Sequence, residues 1–298
     1  MTQVDWLRRN VPTNDVTLAI YEMGAGPPIL FLSGGPGDDH RYLRPVAAGF
    51  TDAFRCILLD QRGCGESRLE NYNADTLDVR RFVADIEAVR KRLDVEKIGL
   101  FGHSWGAMLV LYYAAIHPQR VAAQVLVGTG PLTPEMSAVA EANILKHLQA
   151  YERADYERLS AARRAAIEAS DLQKQIELHQ FRTTTYTTRA WFYNPDVRDR
   201  FNQEWLANYN YNPYVGHYTM PSARAFPIFE RLEGLAMPTL IIQGQQDYTP
   251  MSQVYALRDT LANVELVLIN QCGHVPWLEQ HDVFYQHARL FFEYMLHH

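Results

Sequence analysis

Cysteine is scarce in this chain: Cys56, Cys64 and Cys272 are the only three in 298 residues, and no two form a CxxC pair. An odd, sparse set excludes a disulfide framework and a thiolate zinc site, so no metal is expected. No stretch reaches the roughly 18 uninterrupted apolar residues of a membrane-spanning helix. The first residues, Met1 to Trp6, hold no apolar signal core. A membrane is therefore not an expected partner, and a cytoplasmic setting is. Long basic runs are missing, and the formal net charge is −6, which argues against nucleic acid. Neither GxxxxGK[ST] nor a post-strand GxGxxG occurs, so no nucleotide cofactor is expected. Internal repeats and low-complexity tracts are absent as well.

What is present is ordinary globular composition, 47% hydrophobic and 21% charged. Weak alternation in 4–22, broken by Pro12-Thr-Asn-Asp15, predicts two short strands in a hairpin-like arrangement. Short apolar runs at 29–32, 55–59, 97–101 and 121–128 read as strands buried on both faces. Between them, 76–93 and 105–116 have helical character. Residues 239–242 and 264–269 repeat the strand pattern, with helices predicted at 251–262 and 281–296. Strands alternating with helices predict an α/β fold with a mostly parallel, doubly wound sheet. Residues 133–233 break the alternation. They begin with an Ala-, Glu-, Arg- and Leu-rich tract that predicts two or three helices up to about 180, and thirteen aromatics fall between Phe181 and Phe229. This stretch reads as a helical insertion after the sixth strand, leaving 1–132 and 234–298 as the core.

The chain is organised around Gly102-His-Ser104-Trp-Gly106, which lies between an apolar strand and an apolar helix. A serine on such a strand-to-helix turn is held proud of the sheet edge. Its hydroxyl is a weak nucleophile until a base takes its proton, and the base needs an acceptor that fixes its tautomer. Asp247 and His274 stand at the ends of the next-to-last and last predicted strands, on the sheet edge where ligands bind. Ser104, Asp247 and His274 are thus the candidate catalytic residues. Acyl transfer also needs N–H donors aimed at the developing oxyanion. Trp105 and the Gly-rich loop after strand 29–32, through Gly35, are the candidates. His103 is expected to point away from the serine. Asp60 and Arg62 read as a structural turn held by a contact between them, and Cys64 and Cys272 as bystanders, neither having a base arranged for it.

Ser33-Gly-Gly-Pro-Gly37, Asp60-Gln-Arg-Gly-Cys-Gly-Glu-Ser67 and Gly102-His-Ser-Trp-Gly106, in the order Ser…Asp…His, resemble the proline iminopeptidase branch of the α/β hydrolases. The resemblance covers about 25–130 and 235–298. It implies an α/β-hydrolase fold whose insertion is a helical cap, with Ser104 as nucleophile, His274 as base and Asp247 as its orienter. It also implies release of an N-terminal proline or similar residue from a small peptide. Two departures stand out. Ser33 replaces the histidine of the family's HGGPG. Tyr248 follows Asp247 where the family carries a glutamate for the substrate's ammonium, and the cap stretch 184–192 offers no acid either. Glu177, Asp196 and Glu204 are the substitutes to test.

Trp191, Phe192, Trp205, Tyr211 and Tyr248 are candidates for substrate contact, although most cap aromatics singly read as core. An aromatic cap also suits an esterase, lactonase or amidase with a small hydrophobic substrate. A more distant reading is a receptor that keeps the triad and turns over slowly. The expected partner is in each case a small molecule or short peptide.

Overall fold

The computed structural model describes residues 5–207 and 210–297. Its eight-stranded sheet runs β1 (Leu7–Pro12), β2 (Thr17–Met23), β4 (Arg55–Leu59), β3 (Pro28–Leu32), β5 (Ile98–His103), β6 (Val121–Val127), β7 (Thr239–Gly244) and β8 (Val264–Ile269). The β1–β2 and β2–β4 pairs are antiparallel and the remaining pairs parallel. Every residue of β5 and of β7 is buried. That explains their unbroken apolar runs, because helices cover both faces of a parallel sheet.

On one face lie α2 (Val79–Arg92) and α3 (Trp105–Ile116). On the other lie α1 (Arg44–Ala48) and α12 (His281–His297). The amphipathic α2 buries Phe82, Val83, Ile86 and Val89. It begins at 79 rather than 76 because the Asp78 carboxylate caps it, accepting the Arg80 N–H at 2.8 Å. The preceding turn is closed by Asn73, whose Oδ1 accepts the N–H groups of Asp75 and Thr76. By contrast α3 is buried nearly all round, as a helix packed between a sheet and other helices must be.

Six helices separate β6 from β7: α4 (Pro134–Lys146), α5 (Ala150–Glu168), α6 (Leu172–Thr185), α7 (Pro195–Ala207), α8 (Pro213–Ala225) and α9 (Ile228–Leu232). Ile144, Tyr156, Leu159 and Tyr186 build a small core of their own there. Val215, Ala223, Ile228 and Leu232, farther along, join the core under the sheet. The remaining helices are α10 (Met251–Thr260) and α11 (Pro276–Glu279). Among the described residues no helix is long and apolar enough to cross a membrane.

The turn after β4 differs from expectation in its partners. Asp60 and Arg62 do not hold each other. The Asp60 carboxylate takes His40 Nδ1 at 2.6 Å and the N–H groups of His40 and Glu66. The Arg62 guanidinium makes a bidentate pair with Asp85, at 2.7 and 2.6 Å, and reaches Asp15 at 3.1 Å. Both side chains are buried, so each needs full hydrogen bonding. Neighbours one residue apart on a turn cannot supply it, and more distant segments do.

Candidate active site

Local geometry at the elbow follows from its glycines. A Cβ on Gly102 would meet the Gly106 carbonyl at 2.5 Å, and one on Gly106 would meet the Leu32 carbonyl at 2.0 Å. Only glycine lets β5 turn into α3 this tightly. Ser104 itself sits at φ 56°, a conformation that costs energy in a non-glycine residue. Its N–H donates to Val127 O at 3.0 Å, and its carbonyl accepts the Gly130 N–H at 3.1 Å. The strain is thereby fixed from both sides.

Asp247, just after β7, and His274, after β8, meet across 27 residues of chain: His274 Nδ1 lies 2.9 Å from Asp247 Oδ2 and 3.1 Å from Oδ1. The carboxylate also accepts Gln243 Nε2 at 2.8 Å and the Thr249 N–H at 3.0 Å. Ser104 and His274 open onto one cavity of about 310 Å³, whose wall includes Gly34, Gly35 and Tyr248. The Tyr248 ring stands 4.9 Å from that of His274, and its hydroxyl lies within hydrogen-bonding reach of Ser104. Burial pushes the Tyr248 phenol far above its ordinary pKa, so it stays a neutral hydroxyl.

The loop after β3 approaches the nucleophile closely, since a Cβ on Gly34 would stand 3.1 Å from Ser104 Cβ. The Gly34 N–H is occupied by the Tyr42 hydroxyl. The next residue, Gly35, also lines the cavity, and Trp105 opens α3 beside Ser104. Gln61 ties these turns together: its amide donates to Ser33 O at 2.8 Å, and its Oε1 accepts Trp105 Nε1–H at 2.8 Å. Ser33 is wholly buried and donates to the Asp38 carbonyl.

His103, expected to point away from the serine, takes part in the cavity wall. Its Nε2 lies 3.0 Å from the His274 carbonyl and its Nδ1 3.0 Å from the Tyr42 hydroxyl. A carbonyl only accepts, so Nε2 carries the hydrogen and Tyr42 donates to Nδ1. Burial first, then the neighbouring His274, holds His103 well below the usual histidine pKa. It is a neutral strut.

The cap aromatics divide. Trp191, Trp205, Tyr211 and Tyr248 line the cavity. Phe192 does not: 6% exposed, it packs on Phe201, 5.1 Å between ring centroids, within the core under α12. Adjacent residues leaving a 3-10 turn face opposite ways, and Trp191 takes the cavity side. Trp191 also secures His274, whose N–H donates to the Trp191 carbonyl at 2.6 Å. Of the acids sought in the sequence, Glu177 and Asp196 are exposed and outside the cavity, while Glu204 lines a second cavity beside it. The two cysteines are buried, and burial raises both thiols well above their ordinary pKa, so neither offers a thiolate.

Two supports escaped the sequence reading, His103 and Glu279. The Glu279 carboxylate accepts the Gly273 N–H at 2.6 Å and the Asn194 N–H at 2.7 Å, joining the His274 loop to the cap. No local motif marks it. Removing it in Glu279→Ala should cost about 1.5–3 kcal/mol of stability. It should also lower kcat by ~10- to 100-fold with KM little changed, because the loop loses its register. Denaturation curves and steady-state kinetics check this. A kcat within twofold of wild type would show that the loop keeps its place unaided.

Residues 27–280 match the family described as alpha/beta hydrolase fold. The chain belongs to that family. Within it the relatives lie on the proline iminopeptidase-like branch. A proline iminopeptidase of Neisseria meningitidis is 31% identical over 269 residues, covering 84% of this chain and 83% of the relative. Among solved structures, a proline iminopeptidase of Mycobacterium smegmatis superposes with a TM-score of 0.70 at 23% identity, covering 97% of this chain and 98% of the other. An esterase of Thermogutta terrifontis superposes equally well, with a TM-score of 0.71 at 23% identity, covering 97% and 99%. This α/β hydrolase therefore shares its fold with peptidases and esterases alike.

Proposed function

We propose that the protein is a serine hydrolase working through an acyl-enzyme, and that it releases an N-terminal proline or similar residue from small peptides. The observation that carries the mechanism is the buried Asp247–His274 pair, opening with Ser104 onto one cavity. In this reading Ser104 Oγ attacks the acyl carbon as His274 Nε2 takes its proton. Asp247 keeps the hydrogen on Nδ1 and steadies the imidazolium. The N–H groups of Gly35 and Trp105 receive the oxyanion. His274 then protonates the leaving amine, and a water activated by the same imidazole frees the acyl group. The proline iminopeptidase relatives at 31% identity support the peptide substrate.

A second reading, an esterase on a small aromatic or hydrophobic ester, is favoured by the rings in the wall and by Tyr248 in place of a glutamate. Prolyl arylamide, its N-acetylated form and a simple aryl ester, compared by kcat/KM, separate the two. The peptidase reading expects cleavage of the prolyl arylamide and loss of at least ~100-fold on acetylation. Ester cleavage with no prolyl arylamide cleavage would overturn it.

A further inference from the structure

Asp38 follows the Gly-rich loop and lies at the junction of the two cavities, in the wall of both. Its backbone is bridged to Tyr211, and the adjacent Asn212 N–H donates to Gly37 O at 3.0 Å, so the segment is held firmly against the cap. A Cβ on Gly34 would stand 3.1 Å from Ser104 Cβ, and one on Gly35 would stand 3.5 Å from Asp38 Oδ2. Nucleophile and carboxylate thus flank two consecutive loop residues. Among the described residues no Lys, Arg or His forms an ion pair with Asp38. The neighbouring Asp39 is engaged by Arg41 and Asn210. Arg182, in the same cavity wall, is held by Ser160 and the Tyr156 ring.

Resting on the reading above, we infer that Asp38 is the specificity residue that binds the protonated α-amine of the substrate, doing from the core loop what the cap acids do not. The distances suit the task, because an α-nitrogen lies only about 2.5 Å from the carbonyl carbon under attack. The electrostatics suit it too. A lone carboxylate near the oxyanion donors would oppose the transition state, whereas one neutralised by an ammonium does not. Burial and the charge of Asp39 push the Asp38 carboxyl up to about 7, so an entering cation readily ionises it. An ammonium desolvated among aromatic rings requires such a partner. Glu141 lines the same cavity but is exposed, and its charge is the weaker attractor for that reason.

Calorimetric titration in the Ser104→Ala background, where no turnover intervenes, tests the assignment. L-prolinamide should bind at least tenfold tighter than neutral N-acetyl-L-prolinamide. Adding Asp38→Asn should erase that preference, Asp38→Glu should retain part of it, and Glu141→Gln should leave it within threefold. Equal binding of the two ligands overturns the proposal without any Asp38 variant. So does a preference that survives Asp38→Asn or vanishes in Glu141→Gln. Failure of the peptidase reading shows separately, as wild-type protein that cleaves aryl esters and not prolyl arylamide.

Discussion

Ser104→Ala is expected to lower kcat by ~10⁴-fold or more and to abolish labelling by a fluorophosphonate probe, which wild-type protein should take up at Ser104. The magnitude follows from removing the nucleophile of a triad, where little remains beyond binding and oxyanion stabilisation. Alanine keeps the Cβ and the φ of 56° that the elbow imposes, and the flanking hydrogen bonds from Val127 and to Gly130 are backbone bonds. The variant should therefore unfold at the same denaturant concentration as wild type, or slightly higher, since strained functional positions are rarely optimised for stability. Labelling of the alanine variant at the wild-type rate would place the nucleophile elsewhere.

Asp247→Asn should cost about as much, ~10⁴-fold in kcat, although it changes one atom. Both carboxylate oxygens act only as acceptors. Oδ2 takes His274 Nδ1 and Gln243 Nε2, while Oδ1 takes the Thr249 N–H and the longer contact from His274. An amide nitrogen at either position faces a donor. Turned toward His274, it forces Nδ1 to accept, and Nε2 then carries the proton and cannot act as base. Turned toward Thr249, it leaves that N–H without its acceptor and shifts the ring. The steady-state rate on any cleaved ester or arylamide measures the effect. A loss below tenfold would mean that another group orients His274.

These two residues were legible before any coordinate because their signals are local. An apolar run ending in Gly102-His-Ser-Trp-Gly106 is a strand, a turn and a helix start in one window, and Asp247 and His274 each follow a strand of the same kind. The sheet's parallel order then brings separate strand ends to one edge. The cap was harder. Its helices were expected as a block, but α8 and α9 give Val215, Ala223, Ile228 and Leu232 to the main core. Their apolar content looks the same whether it faces cap or sheet. Phe192 and Trp191 show the same limit one residue apart, since a 3-10 turn followed by irregular chain has no period that predicts which ring faces the cavity.

The sequence by itself determined the α/β architecture, the strand ends and the nucleophile turn. Run length, glycine placement and helical spacing are properties of neighbouring residues, and the backbone must obey them wherever the segment sits. Only the tertiary structure decided the partners. Arg62 pairs with Asp85 rather than with Asp60, His103 braces His274 across 171 residues, and Glu279 links that loop to the cap. Asp38, one of two adjacent acids in the sequence, is the one left facing the cavity, while Asp39 is engaged by Arg41 and Asn210. A buried polar group must find its complement, and which complement is within reach is fixed by how distant segments pack, not by the residues on either side.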